Sequence, residues 1–284
     1  MTWQKKYWWY VGVLFVLAVS FTVWILVHQQ PKLTFVACDV GQGDALLFSF
    51  PTGERVLVDG GPDRSVLDCL GRHLPVWRQK LDTVVLTHGD SDHLTGLIPV
   101  LGRYSVGEIV LTGVKIKSKT YEAWEQAVEK EAKNGAVVTY QKEGRVVRYG
   151  EAWIEYLYPD EDLSKSNVST NESSVVMKVC YKMKCILTVG DTGIEEENVL
   201  LTKGFDLKAD ILKVGHHGSK YSSSERFLNA VKPLLAVVSV GKNQFGHPTF
   251  QTLWRLQKRK VNILRTDYKG DVVIEIDGEG FIYP

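Results

Sequence analysis

Thr83-Val84-Val85-Leu86-Thr87-His88-Gly89-Asp90-Ser91-Asp92-His93 is the stretch that decides the fold. An apolar run of strand length ends in a turn that carries two imidazoles and two carboxylates within six residues. Such a turn can build half of a metal site, because imidazole and carboxylate are ligands for divalent metal ions. The plain alternative is a solvated polar loop, and the remaining histidines count against it. His216 and His217 follow the apolar run from Ala209 to Val214, and His247 stands in Gln244-Phe245-Gly246-His247-Pro248. Asp191 ends another such run, Ile186-Leu187-Thr188-Val189-Gly190. Five of the seven histidines thus sit at predicted strand ends, while His28 and His73 read as ordinary surface residues. Strands that finish together can present these groups on one rim of a sheet, where open coordination positions meet solvent.

The turn His88-x-Asp90-x-Asp92-His93 resembles the second motif of the metallo-β-lactamase-fold hydrolases. Val58-Asp59-Gly60-Gly61 resembles their first motif, Gly190-Asp191 the bridging aspartate, and His216 the last histidine ligand. Asp39-Val40-Gly41-Gln42-Gly43-Asp44-Ala45, Val214-Gly215-His216-His217-Gly218-Ser219 and Asn243-Gln244-Phe245-Gly246-His247-Pro248 are similar to the ComEC-like branch, the soluble part of a DNA-uptake channel protein. Arg265-Thr266-Asp267-Tyr268-Lys269-Gly270 fits the same branch. Together these blocks cover residues 33–284, nearly everything beyond the amino terminus.

What the resemblance implies is an α/β fold, a four-layer αββα sandwich, holding two divalent metal ions. It places His88 and Asp90, with Asn171, on one ion, places Asp92, His93 and His216 on the other, and makes Asp191 the bridge. Two adjacent histidines leave open which one points inward, so His217 is the alternative to His216. Position 90 holds Asp where most of the superfamily has His, and no histidine lies between His93 and His216. Asn171 takes the place of the third-motif histidine. The resulting oxygen-rich set favours Mn²⁺ or Mg²⁺ more than an all-imidazole set does. Mn²⁺ is the expected ion, and Zn²⁺ is its competitor. Asp59 reads either as the residue that orients a ligand histidine or as a turn aspartate before Gly60-Gly61. Gly41, Gly43 and Asp44 form either a turn that approaches substrate or a plain hairpin loop. Ser219 either bonds a phosphate oxygen or caps the following helix.

Two metals about 3.5–4 Å apart can clamp both oxygens of an in-line displacement and can ionise water near neutral pH. The expected activity is therefore phosphodiester hydrolysis, with DNA as the favoured substrate. Asp92 would steer the water or its proton, and His247 would contact the scissile phosphate or the leaving group. His247 as an exposed loop residue is the alternative. A second enzyme reading is a choline-phosphate type esterase of cell-surface polymers, with Tyr158, Tyr221, Phe245 and Tyr268 as candidates for an aromatic box around a quaternary ammonium. A third is a non-catalytic surface binding module.

Tyr7 through Val27 is 21 positions without a charge, preceded by Lys5 and Lys6. About 20 apolar residues span a bilayer as a helix, and the flanking lysines place the amino terminus in the cytoplasm. Residues 1–30 are thus expected to be a cytoplasmic stub and transmembrane anchor, and residues 31–284 an extracytoplasmic hydrolase domain. Trp8, Trp9, Tyr10 and Trp24 suit the interface belts, and a DNA-uptake channel is the expected kind of partner. A cleaved signal peptide is the rival reading, from Leu17-Ala18-Val19-Ser20, although the apolar run is longer than such segments usually are.

With 44% hydrophobic residues, the remaining length supports one domain with a substantial core. Strands are expected at Leu33–Cys38, Ala45–Phe50, Arg55–Asp59, Glu108–Leu111, Ala136–Tyr140, Val175–Tyr181, Leu234–Val240 and Val272–Ile276. Helices are expected at Ser65–Arg72, Leu94–Leu101, Tyr121–Lys133, Ser224–Val231 and Thr249–Lys260. The net charge is +1, and setting aside the two lysines of residues 1–30 leaves −1 over the rest. That balance argues against free-standing, high-affinity DNA binding, which needs a basic excess. Local basic clusters stand at Lys115-Lys117-Lys119, at Lys178-Lys182-Lys184 and along Arg255–Lys260. Four cysteines permit disulfides without requiring them. Cys180 and Cys185 would face each other if Lys182-Met183 formed a two-residue hairpin loop, although Lys-Met is not a favoured loop sequence.

Overall fold

The computed structural model describes residues 3–28, 31–142, 144–159, 163 and 168–283, with side chains in the first helix for Trp3 and residues 7–21. Two compact units result, Met1–Pro31 and Lys32–Pro284. The first is a single helix, Trp3–His28, of 26 residues. Among the described residues no helix is long and apolar enough to cross a membrane. The expected transmembrane helix is therefore without structural support. Lys5, Lys6, Trp24 and His28, on which parts of that expectation rest, lie outside the described side chains.

In the second unit the chain first lays down β1 (Leu33–Ala37), β2 (Leu46–Ser49), β3 (Arg55–Val58), β4 (Lys80–Val85), β5 (Ser105–Leu111) and β6 (Val137–Tyr140). It continues through β7 (Val146–Tyr149), β8 (Ala152–Tyr158), β9 (Val176–Tyr181), β10 (Lys184–Thr188), β11 (Ile211–Lys213), β12 (Leu235–Val238) and β13 (Asn262–Arg265). The last two strands are β14 (Val272–Ile276) and β15 (Phe281–Ile282). They form an eight-stranded sheet, β15-β14-β1-β2-β3-β4-β5-β6, and a seven-stranded sheet, β13-β12-β11-β10-β9-β8-β7.

Side-chain alternation produces the layers. Phe35, Val56 and Val58 point into the core shared by the two sheets, with Ile186, Ile211 and Val237 from the other side. Their neighbours Val36 and Leu57 face outward, against Leu70, Leu97 and Trp124 of the covering helices. On the second sheet Leu187, Leu212 and Val238 pack outward on Phe227, Leu228 and Leu256. Strand segments buried on both faces read as short apolar runs, which explains why Val84-Val85 of β4, Ile186-Leu187 of β10 and Ile211-Leu212 of β11 stood out in the sequence. Each sheet contains a parallel stretch, β3 to β6 in one and β10 to β13 in the other. Parallel strands need crossovers, and the helices Ser65–His73, Lys119–Lys133, Ile194–Thr202, Glu225–Val231 and Phe250–Lys258 lie in them. The turns after β3, β4, β10 and β11 therefore gather at the carboxyl ends of parallel strands, where open α/β sheets place their sites.

Three local expectations change. The helix expected over Leu94–Leu101 is two pieces, Ser91–Leu94 and Leu97–Arg103. They are joined at Gly96, where a side chain would run into the carbonyl oxygen of Gly60. The weakly alternating β7 and β8 were not anticipated. His73 is no ordinary surface residue: its Nε2 lies 2.8 Å from Asp271 Oδ2, with its side chain only 22% exposed. Two disulfides are present. Cys180–Cys185 spans the β9–β10 hairpin, with Lys182 in a left-handed conformation (φ +51°), and Cys38–Cys69 ties the end of β1 to the helix Ser65–His73.

Candidate metal centre

Asp59 leaves β3 with a φ of +59° and a fully buried carboxylate. Its Oδ1 accepts from the Thr87 amide at 2.8 Å, and its Oδ2 accepts from the Thr87 hydroxyl at 2.7 Å. Oδ2 also accepts from Nδ1 of His93 at 2.8 Å. A proton held on Nδ1 leaves the Nε2 lone pair of His93 pointing inward. The other histidines are oriented in the same way. His88 Nδ1 lies 3.0 Å from the Thr87 hydroxyl and 3.4 Å from that of Ser174. His217 Nδ1 donates to the Ser239 carbonyl at 3.0 Å.

The inward atoms converge without partners of their own. Nε2 of His88, His93 and His217 and Oδ1 of Asp191 are buried and make no hydrogen bond. Buried polar atoms are nearly always paired, so four orphans facing one another mark a place for cations. His93 Nε2 is 3.4 Å from Asp191 Oδ1, and His88 Nε2 is 3.7 Å from Asp90 Oδ2. His217 Nε2 is 3.3 Å from Asp92 Oδ2 and 3.5 Å from Asp191 Oδ2. The overlapping ligand groups here include His88 with His93 and Asp191, and Asp92 with His93 and His217. The donor set fits divalent metal, with Asp191 positioned between the two groups.

Electrostatics agree with that fit. Burial drives the His88 pKa down to about 4, so its imidazole is neutral and free to ligate. Burial opposes charge on His93 and His217, but Asp191 and the other carboxylates overcome it and raise both. Burial also opposes ionisation of Asp191, yet His217 and His93 hold its pKa well below the usual range.

The two adjacent histidines differ in burial. His217 is the buried ring of the pair, whereas the His216 side chain is 31% exposed with Nε2 3.8 Å from Asp191 Oδ2. Asn171 lines a cleft beside Asp191 and His216, and Thr170 points its hydroxyl toward the Asn171 amide oxygen at 3.5 Å. Ser219 does not cap the following helix: Ser224 does so, accepting from Phe227 N. Ser219 Oγ instead accepts from Tyr221 N at 3.3 Å. His247 stands with its ring centroid 5.5 Å from that of His216.

Several residues of the centre were not assigned from sequence: Thr87, Ser174, Ser239 and the pair Asp44–Lys213. Lys213 Nζ donates to Asp44 Oδ2 at 2.7 Å with both side chains buried, and Asp44 Oδ1 lies 3.5 Å from His217 Nδ1. At Gly43 a side chain would strike the Asp92 carbonyl oxygen, so the loop packs closely on the turn that carries the ligands. Two of the basic clusters are committed elsewhere. Lys178 and Lys184 pair with Asp206 and Asp210, while Arg255 and Arg259 donate to the carbonyls of Lys220, Ser222 and Glu225.

The family described as Metallo-beta-lactamase superfamily matches residues 38–242. The chain is 31% identical to "ComE operon protein 3" of Bacillus subtilis (strain 168) over 82% of its own length and 32% of that protein. It is 34% identical to "Competence protein ComA" of Neisseria gonorrhoeae over 68% of its length and 25% of that protein. The chain thus spans about a third or less of these relatives. Among solved structures it is similar to CmlA, a diiron beta-hydroxylase from Streptomyces venezuelae (TM-score 0.55, 13% identity, 86% of this chain and 54% of that one). It is also similar to Zn(2+)-bound PqqB from Methylobacterium extorquens (TM-score 0.50, 10% identity, 79% and 85%). At such identities the likeness concerns the fold alone.

Proposed function

The chain belongs to the metallo-beta-lactamase superfamily of metal-dependent hydrolases, and we propose that it is a phosphodiesterase acting on DNA. The observation that carries this reading is the set of four buried, partnerless donor atoms facing one another at the rim of the sheets. Two divalent ions held there would supply Lewis-acid charge for a phosphoryl oxygen and a water ionised near neutral pH. His88 and Asp90 serve one position, Asp92 and His217 the other, with His93 and Asp191 between them. Asp59, Thr87, Ser174 and Ser239 keep the imidazole protons on the far nitrogens, so that every inward lone pair is free.

Asp92 is 30% exposed and is the carboxylate through which a proton from the attacking water leaves the site. His247 lies at the cleft edge, where burial and the neighbouring His216 lower its pKa. It contacts the leaving oxygen as the bond to phosphorus breaks. The carboxylates and the Asn171 amide make Mn²⁺ the favoured ion, with Zn²⁺ its competitor. DNA is favoured over other diesters because the relatives bear competence names. The charge-free run Tyr7–Val27 is taken as a membrane anchor that leaves the catalytic unit outside the cytoplasm.

The choline-phosphate reading is weaker. Tyr221 and Phe245 do line one cleft, but Lys220 already places its ammonium 4.9 Å from the Tyr221 ring centroid, and a second cation would be repelled. The test uses the metal-stripped full chain with Mn²⁺, Mg²⁺ or Zn²⁺ on plasmid, single-stranded DNA and bis-p-nitrophenyl phosphate, beside His88→Ala. DNA cleavage that needs added metal and drops at least about 100-fold in the variant is expected. Turnover of the small diester alone would shift the reading to a small-diester esterase. Bound metal without any turnover would defeat it.

A further inference from the structure

Beside the metal centre lies a cleft of about 510 Å³ whose walls include His216, Lys220, Tyr221, Phe245, His247 and Phe250. Tyr221, Phe245 and Phe250 are 65%, 73% and 75% exposed, a concentration of large rings that folding alone does not explain. The rings form a line running inward. Phe245 stacks on His247 (centroids 5.8 Å apart, planes at 29°), His247 stands 5.5 Å from His216, and His216 Nε2 is 3.8 Å from Asp191 Oδ2.

The backbone beneath these rings is tied down. The Asn243 amide donates to the Gly241 and His247 carbonyls and accepts from the Phe245 and His247 amides, so the loop that presents Phe245 outward is braced by Asn243. Arg255 holds the carbonyls of Lys220 and Ser222, and Thr249 N donates to the Gly218 carbonyl to join the two walls. The wall segments, 215–224 and 241–250, carry Lys220 and Lys242 and no acidic residue.

We propose that this cleft is a base-stacking subsite that gives the hydrolase a preference for single-stranded over duplex nucleic acid. The inference rests on the phosphodiesterase reading and names its substrate class. Every nucleobase offers a π face to an exposed ring whatever its sequence, and the lysine charge complements the adjoining phosphates. In a duplex those faces are stacked on neighbouring base pairs and out of reach, so only an unpaired base can enter.

The experiment compares cleavage by the full chain with Mn²⁺ of three labelled substrates: a single strand, an abasic strand of equal length, and the duplex. It uses the wild type, Phe245→Ala, Phe250→Ala and the restoring variants Phe245→Trp and Phe250→Trp, with bis-p-nitrophenyl phosphate as reference. The wild type is expected to show a KM about tenfold lower for the base-bearing strand than for the abasic one, in the range of one stacked base. Either alanine variant should bring that ratio toward one, and tryptophan should restore it. Equal KM values in the wild type, or a ratio that survives both alanine changes, would overturn the subsite while leaving the nuclease standing. Hydrolysis of the small diester with no cleavage of any DNA would remove the nuclease reading and the subsite together.

Discussion

His216 and His217 have nearly the same backbone angles, φ +50° and ψ 45° against φ +51° and ψ 23°, yet they do different things. Two consecutive non-glycine residues in the left-handed region cost energy, and such strain persists where surrounding structure holds it. Here His216 N donates to the Gly190 carbonyl and Ser219 N to the His216 carbonyl, pinning the turn. The result is one ring sealed against Ser239 and the other left on the cleft wall. His217→Ala should therefore lose one of two bound ions, with affinity falling beyond the roughly 100-fold typical of residues that only orient a ligand. His216→Ala should retain both. Metal content after dialysis decides between them, and the reverse pattern would make His216 the ligand. The pair Asp44–Lys213 makes a second prediction. Lys213→Met would strand the Asp44 carboxylate in a buried site, for a loss of about 3–5 kcal/mol in denaturant unfolding. A loss below about 1 kcal/mol would mean that water reaches the pair.

At the scale of the elements, the sequence was most legible where strands are buried on both faces. The apolar cores of β4, β10 and β11, Val84-Val85, Ile186-Leu187 and Ile211-Leu212, lie a few residues before His88, Asp191 and His216-His217, so place and chemistry could be read together. Lys213 was illegible for a related reason: it ends such a run, on the face shared with Ile211, and its partner Asp44 is 169 residues away. Edge strand β7 gave little signal because Val146 and Arg148 face solvent. Asp59 could be read as a histidine-orienting residue or a turn residue, since its partners Thr87 and His93 come from another strand end. Asp271 joins three elements in the same hidden way. It accepts from the Asp39 amide and the Arg72 guanidinium and pairs with His73, fastening the first glycine-rich loop and the helix Ser65–His73 to the start of β14. Burial opposes its charge, but these donors prevail and hold its pKa at about 2. A carboxyl with a depressed folded-state pKa stabilises the protein above its ordinary pKa near 4 and ceases to do so as pH falls through 2. Asp271→Asn should thus cost about 1–2 kcal/mol at pH 7, with the difference from wild type shrinking between pH 4 and pH 2. Urea unfolding across that range would detect it, and a difference independent of pH would assign the cost to packing instead.

For the whole molecule, the proposed action on DNA has to be squared with the weak charge of the hydrolase unit. The catalytic unit lacks a basic excess, and much of its local positive charge is spent on its own carboxylates and carbonyls. Affinity from phosphate neutralisation alone is then modest, and confinement near delivered strands would substitute for it. A membrane anchor at residues 1–30 would provide that confinement. If the charge-free run Tyr7–Val27 spans the bilayer, the full chain should stay with membranes through alkaline carbonate extraction. Deleting residues 1–30 should release the metal-binding unit in folded form. A protease added outside intact cells should then reach residues beyond 31 but not the amino terminus, as the lysines before the run require. Extraction of the full chain by carbonate would remove the anchor. Protection of the catalytic unit from the external protease would invert the orientation and place the metal centre on the cytoplasmic side.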